Sequence, residues 1–163
     1  MKRLVLLGLA LITFALPVFG QPKFGVTSTS DKGTDFTKLK SYAWQSGWDA
    51  PPKAHEAIVA AADRELKAVG LEKKATGADV TIKYAALRRT DVQVSTKATG
   101  VDAPRGTMEV GSLLVVMSNS AGKELWRSRL DAPLDTDPAK ITETIDAAVK
   151  AVFEKYPTKA PKK

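Results

Sequence analysis

The chain has 163 residues, 44% of them hydrophobic and 26% charged, an ordinary globular balance with enough apolar material for one domain to bury a core. It has no cysteine and a single histidine, which excludes disulfides, thiol nucleophiles and the common zinc sites. The formal net charge is +7, and removal of Lys2 and Arg3 with an N-terminal leader leaves 7 − 2 = +5.

Residues 1–20 read as that leader. Lys2 and Arg3 form a positive start, Leu4 to Leu16 an apolar stretch, and Val18 and Gly20 the modest side chains of a cleavage site, so the mature chain is expected to begin at Gln21. The apolar stretch is short for a membrane span. With no cysteine to accept a lipid, the expected product is exported, periplasmic or secreted, soluble and not a lipoprotein. Export argues against nucleic acid as a partner.

Phe24 to Thr29 is rich in β-branched residues and predicts a first strand, and Ser41 to Gln45 a second, with Phe36 and Leu39 plugging the sheet edge. Gly47, Pro51 and Pro52 break the chain before a helix over Lys53 to Val69, whose stripe of Ala54, Ile58, Ala61, Ala62, Leu66 and Val69 is mostly alanine and which Gly70 stops. Asp79 to Leu87 predicts a third strand, and Arg88 to Thr99 a strand running past the sheet or a hairpin arm.

The organising stretch is Gly106 to Asp131. Two β-rich runs flank Asn119-Ser-Ala-Gly122, a turn signal, so they form a hairpin. The last helix opens at Asp137-Pro138, carries the stripe Ile141, Ile145, Ala148, Val149, Val152 and Phe153, and closes at Tyr156-Pro157. Residues 158–163, with Lys159, Lys162 and Lys163, form a basic solvated tail or a docking segment for an anionic surface.

The order β-β-α-β-β-β-α predicts an α+β two-layer sandwich over residues 21–157, a five-stranded, mostly antiparallel sheet with both helices on one face. If Val110, Leu114, Val116, Trp126 and Leu130 face the helices, then Leu113, Val115, Met117 and Leu125 face outward beside Arg127 and Arg129. That apolar patch rimmed with arginine is the expected surface for an envelope partner or a second copy.

Taken together, Asp35-Phe-Thr, Lys40-Ser-Tyr-Ala-Trp, Gly77-Ala-Asp-Val-Thr-Ile-Lys-Tyr, Gly106-Thr-Met-Glu-Val, Gly122-Lys-Glu-Leu-Trp-Arg and Phe153-Glu-Lys-Tyr-Pro resemble the bacterial envelope family called domain of unknown function 4136. The resemblance implies a small exported α+β protein with no established activity and no catalytic residues to transfer. Many members are lipoproteins, from which the absence of cysteine departs. The recurring aromatics, here Tyr42, Trp44 and Trp126, read as packing residues.

The inventory supplies no catalytic constellation, cofactor or metal site. His55 lies one residue off the first helix's stripe and reads as a solvated side chain. A serine nucleophile would need that histidine or a lysine, and no Gly-x-Ser-x-Gly elbow occurs. Asp131, Asp135 and Asp137 do not have EF-hand spacing, and Asp137 is explained as a cap. Trp48, in a loop near Lys53, is the one candidate for stacking a ligand. The expected function is a non-enzymatic accessory module acting through its open sheet face. The alternative is a small-ligand or lipid carrier, with the ligand between the alanine-lined helix and the sheet.

Overall fold

The computed structural model describes residues 25–45, 50–95, 103–135 and 137–158. The expected leader, Trp48 and the lysines of the tail lie outside them. Six strands form one sheet: β1 (Gly25–Ser30), β2 (Ser41–Trp44), β3 (Glu72–Lys73), β4 (Val80–Ser95), β5 (Ala103–Asn119) and β6 (Glu124–Pro133). They lie in the order β1-β6-β5-β4-β2-β3. The pairings β1–β6, β6–β5 and β5–β4 are antiparallel, whereas β2 runs parallel to both β3 and β4. A parallel return needs a crossover, which α1 (Pro52–Ala68) supplies. The sixth strand is the two-residue β3, a pairing too short to leave a pattern in sequence.

Both helices cover one face. Pro52 opens α1, where its missing N–H costs nothing. The helix closes in a Schellman motif: Leu71 N–H donates to Leu66 C=O, Gly70 N–H donates to Lys67 C=O, Gly70 takes φ +88°, and the buried Leu71 supplies the apolar contact. The second helix is capped where the sequence places it, the Asp137 carboxylate accepting from Ala139 N–H at 2.9 Å. A single 3₁₀ turn, Pro138–Lys140, precedes α2 (Ile141–Phe153), which buries Val149, Val152 and Phe153.

The hairpin of β5 and β6 sets which residues meet those helices. Its turn forms as expected: Asn119 and Lys123 pair through the backbone, the Asn119 side chain accepts from Ala121 and Lys123 N–H, and Gly122 takes φ +79°. Ser118 then pairs with Glu124, but Met117 pairs with Trp126, so Leu125 is an extra residue in a bulge. Paired straight through, with Leu125 opposite Met117, the arms would bring Val116 opposite Trp126 and the outward set would be Leu113, Val115 and Met117. With the bulge, one arm slips by one residue relative to the other and the faces exchange. Leu113, Val115 and Met117, at 7%, 1% and 0% exposure, therefore point into the core beside Trp126 and Leu130. Leu125 is buried in the same core. The expected apolar outer patch is corrected accordingly: Val110, Leu114 and Val116 take the other face, with Arg127 and Arg129.

That outer face is charged. Val116 lies directly opposite Arg127 on one side and Lys83 on the other, and Val110 opposite Arg89 and Pro133, so the aliphatic stems of basic residues flank it and both valines are buried. Arg129 and Arg89 converge on Asp131 at 2.9–3.2 Å, and Ser112 joins them.

Candidate functional site

Along the helix-covered face the side chains diminish in steps. The row Ile82–Met117–Trp126 is followed by Tyr84–Val115–Ser128, then Ala86–Leu113–Leu130, then Arg88–Gly111–Ala132. The helices run over these rows with Ala54 and Ile58 from α1 and Ile145 and Ala148 from α2 at the end where the rows are small. The side chains between the two layers shrink toward that end. What remains is a cavity of about 280 Å³ lined by Ala50, Pro51, Ala54, Ile58, Ala86, Leu113, Leu130, Ala132, Leu134, Ile145 and Ala148, with Leu87, Arg88, Gly111, Ser112, Asp135, Ile141 and Thr144. Among the described residues no aromatic side chain borders it.

Its boundary depends on a glycine. Leu134 N–H donates to Glu109 C=O at 2.8 Å, and this return of the chain lays the Leu134 side chain over Gly111. A Cβ on Gly111 would stand 2.7 Å from Leu134 Cδ2 and 2.9 Å from its Cγ, so only glycine lets Leu134 sit there. At the rim is Ile141, 44% exposed; Leu87, 63% exposed, lies opposite Ser112, so its side chain belongs to the outer face. The rim charges are already matched: Arg88 pairs with Glu109 at 2.6 Å and Lys140 with Asp135 at 3.3 Å.

The opposite end is filled by rings. Trp126 lies 5.4 Å from Phe153 and 5.5 Å from Tyr156, which meets Phe36 edge-on at 5.6 Å. Burial raises the Tyr156 hydroxyl to about 12, and that oxygen has no hydrogen-bond partner among the described residues. Beside this group the Asp63 carboxylate of α1 accepts from Tyr42 Oη at 2.6 Å, Trp44 Nε1 at 2.8 Å and Lys73 Nζ at 2.9 Å. Burial pushes the Asp63 carboxyl up, but these donors outweigh it and leave it below the usual value. Burial and the same carboxylate push the Tyr42 phenol up. The three donors satisfy the one carboxylate and anchor β2 and β3 to α1.

The residues marked in sequence do not converge. Arg127 and Arg129 stay on the outer face, paired with Glu124 and Asp131. Leu113 alone of the expected patch reaches the cavity, from inside. Asp131 is held down to about 2, first by Arg129 and then by Ser112 and Arg89 against its partial burial. Asp135 accepts from Asp137 N–H and Lys140, so the three aspartates serve three separate contacts. His55 is not merely solvated: it stacks on Tyr84, ring centres 5.8 Å apart, with Nδ1 2.6 Å from the tyrosine oxygen. One Ser-x-x-Lys spacing, Ser120 to Lys123, lies in the exposed hairpin turn, where Lys123 pairs with Asp31 at 3.0 Å. The alanine content of α1 was the sole sequence signal for the cavity, and it indicates close packing as readily as empty space.

A six-stranded sheet with two helices on one face and an aliphatic hollow at one end defines the chain as an α+β sandwich. Its sequence matches the family described as Domain of unknown function (DUF4136) over residues 26–158, and the chain belongs to that family. No curated protein matches it. Among solved structures it is similar to a PDZ domain protein from Parabacteroides distasonis, at 17% identity and TM-score 0.57 over 85% of this chain and 36% of that one. It is also similar to the PelC dodecamer from Paraburkholderia phytofirmans, at 14% identity and TM-score 0.55 over 85% of this chain and 99% of that one. At these identities the likeness is one of fold. No helix among the described residues is long and apolar enough to cross a membrane.

Proposed function

We propose that the chain is a non-enzymatic module of the bacterial cell envelope that binds a small apolar ligand in the hollow between its helices and its sheet. The observation that carries the reading is the hollow itself: about 280 Å³, lined mainly by aliphatic side chains, with the exposed Ile141 at its border. The open sheet face, favoured from sequence, is charged and internally paired, which leaves less apolar surface for a partner. The polar groups beside the hollow, Arg88 and Asp135, are engaged in ion pairs, and this supports binding rather than catalysis. The leader of residues 1–20 and the family support the envelope as the address.

A second reading, self-association, is supported by the fold shared with a protein crystallised as a dodecamer and by β4, along whose outer side no strand pairs beyond Ile82 among the described residues. Native mass spectrometry of the mature protein, purified mildly from the envelope fraction of its own host, tests both. A mass increment of a lipid or metabolite supports the ligand reading, and a multiple of the chain mass supports self-association. A bare monomer counts against both.

A further inference from the structure

We infer that the occupant of the hollow is one unbranched hydrocarbon chain, the tail of a single-chain amphiphile with an uncharged or zwitterionic head, inserted tail first past Ile141. The inference rests on the reading of the hollow as a ligand site.

Three observations carry it. The first is thickness. The hollow lies in the plane that side chains fill elsewhere in the sandwich, and it exists because the rows ending in Ala86, Gly111 and Ala132 are short. A slot one side-chain layer deep accepts a polymethylene chain, which is as thin as the leucine and isoleucine side chains it would replace, and does not accept a compact cage without parting the layers. The second is length. An engineered cavity of about 150 Å³ takes a benzene, about 25 Å³ per carbon. On that scale the 280 Å³ of the hollow holds about 11 carbons. The third is the rim. An apolar interior meets water beside the exposed Ile141, and the two charged residues that line it are each held in an ion pair, Arg88–Glu109 and Lys140–Asp135. Both signs of charge are present and balanced. A zwitterionic or hydroxylated head can lie among them, whereas a head of single sign would have to break one pair to be matched.

The test uses alkyl phosphocholines of 6, 8, 10 and 12 carbons, each below its micelle-forming concentration, titrated into the mature protein and followed by calorimetry. Affinity is expected to rise about fourfold per added methylene and to level off near 11 carbons, where the chain fills the hollow. The variants Ala54→Leu and Ala148→Leu, which put a side chain in the slot from either helix, should each weaken binding of the 10-carbon probe at least tenfold while the circular dichroism stays that of the parent. A matched pair, decan-1-ol against adamantan-1-ol, separates the two levels of the argument. Preference for the linear alcohol supports the inference. Preference for the cage overturns it and leaves the ligand reading standing. Affinity independent of chain length, or unchanged in both variants, overturns it too. No binding by any probe overturns the inference and the ligand reading together.

Discussion

At the Ile82–Met117–Trp126 row the space between sheet and helices is taken up by rings that meet edge-on, with Asp63 tying the neighbouring Tyr42 and Trp44 to α1. Three rows away, at Arg88–Gly111–Ala132, the same two layers enclose about 280 Å³ bordered by alanine, leucine and isoleucine. The backbone is continuous through both ends, since β4, β5 and both helices run from one to the other. The difference teaches that layer spacing here is set where the large side chains are. The wide end holds the layers apart, and the small-residue end inherits a separation that it does not fill.

Stability and binding should therefore divide between the ends. The largest expected effect is at the packed end: Trp126→Ala removes a fully buried indole and should cost about 3–5 kcal/mol, read by urea denaturation. A loss below about 1 kcal/mol would mean that the rings do not set the spacing. Alkaline titration addresses the same end. Because Tyr156 is raised to about 12 in the folded chain, its contribution is complete below the unfolded value near pH 10 and is lost as pH rises from there toward 12. The part due to Tyr156 should reach about 2 kcal/mol and be absent in Tyr156→Phe, which has no proton to hold and retains only the part due to the Tyr42 phenol, also raised.

A matched substitution compares the ends directly. Ala62→Leu, at a position 1% exposed in the core, should cost about 1–3 kcal/mol through overpacking. Ala54→Leu, which enters the hollow, should change stability by less than about 0.5 kcal/mol or raise it. Equal losses at the two sites would show that the hollow closes in solution. The smallest expected effect is Gly111→Ala, about 1 kcal/mol from driving Leu134 off its rotamer, with a loss of hollow volume visible as weakened binding of a ligand.

Much of this architecture is legible in the sequence because its signals are local. The Asn119–Gly122 turn, the Asp137 cap, the Gly70 stop and the α2 stripe each lie within a few residues of what they control, and each forms where it is read. The helix-facing set on β5 was not legible, because it depends on one added residue, Leu125, in a strand whose neighbours are apolar at every position from Leu113 to Met117. A run that is apolar on both faces carries no alternation to betray a slip. The hollow was illegible for a different reason. Its small residues come from α1, β4, β5, β6 and α2, and no single stretch shows that they meet.

The bulge at Leu125 also bears on how the family can vary through descent. Ser118 opposite Glu124 lies on the turn side of Leu125 and Met117 opposite Trp126 on the other, so loss of this one codon would close the bulge and leave both pairings in place. What inverts the strand is closure of the bulge with the residue kept: Leu125 would then oppose Met117 and Val116 would oppose Trp126, turning Val115 and Met117 toward solvent. Related chains are therefore expected to tolerate a one-residue gap at this position, and an alignment that slides one arm past the other by one position will match core residues of one member to surface residues of the next.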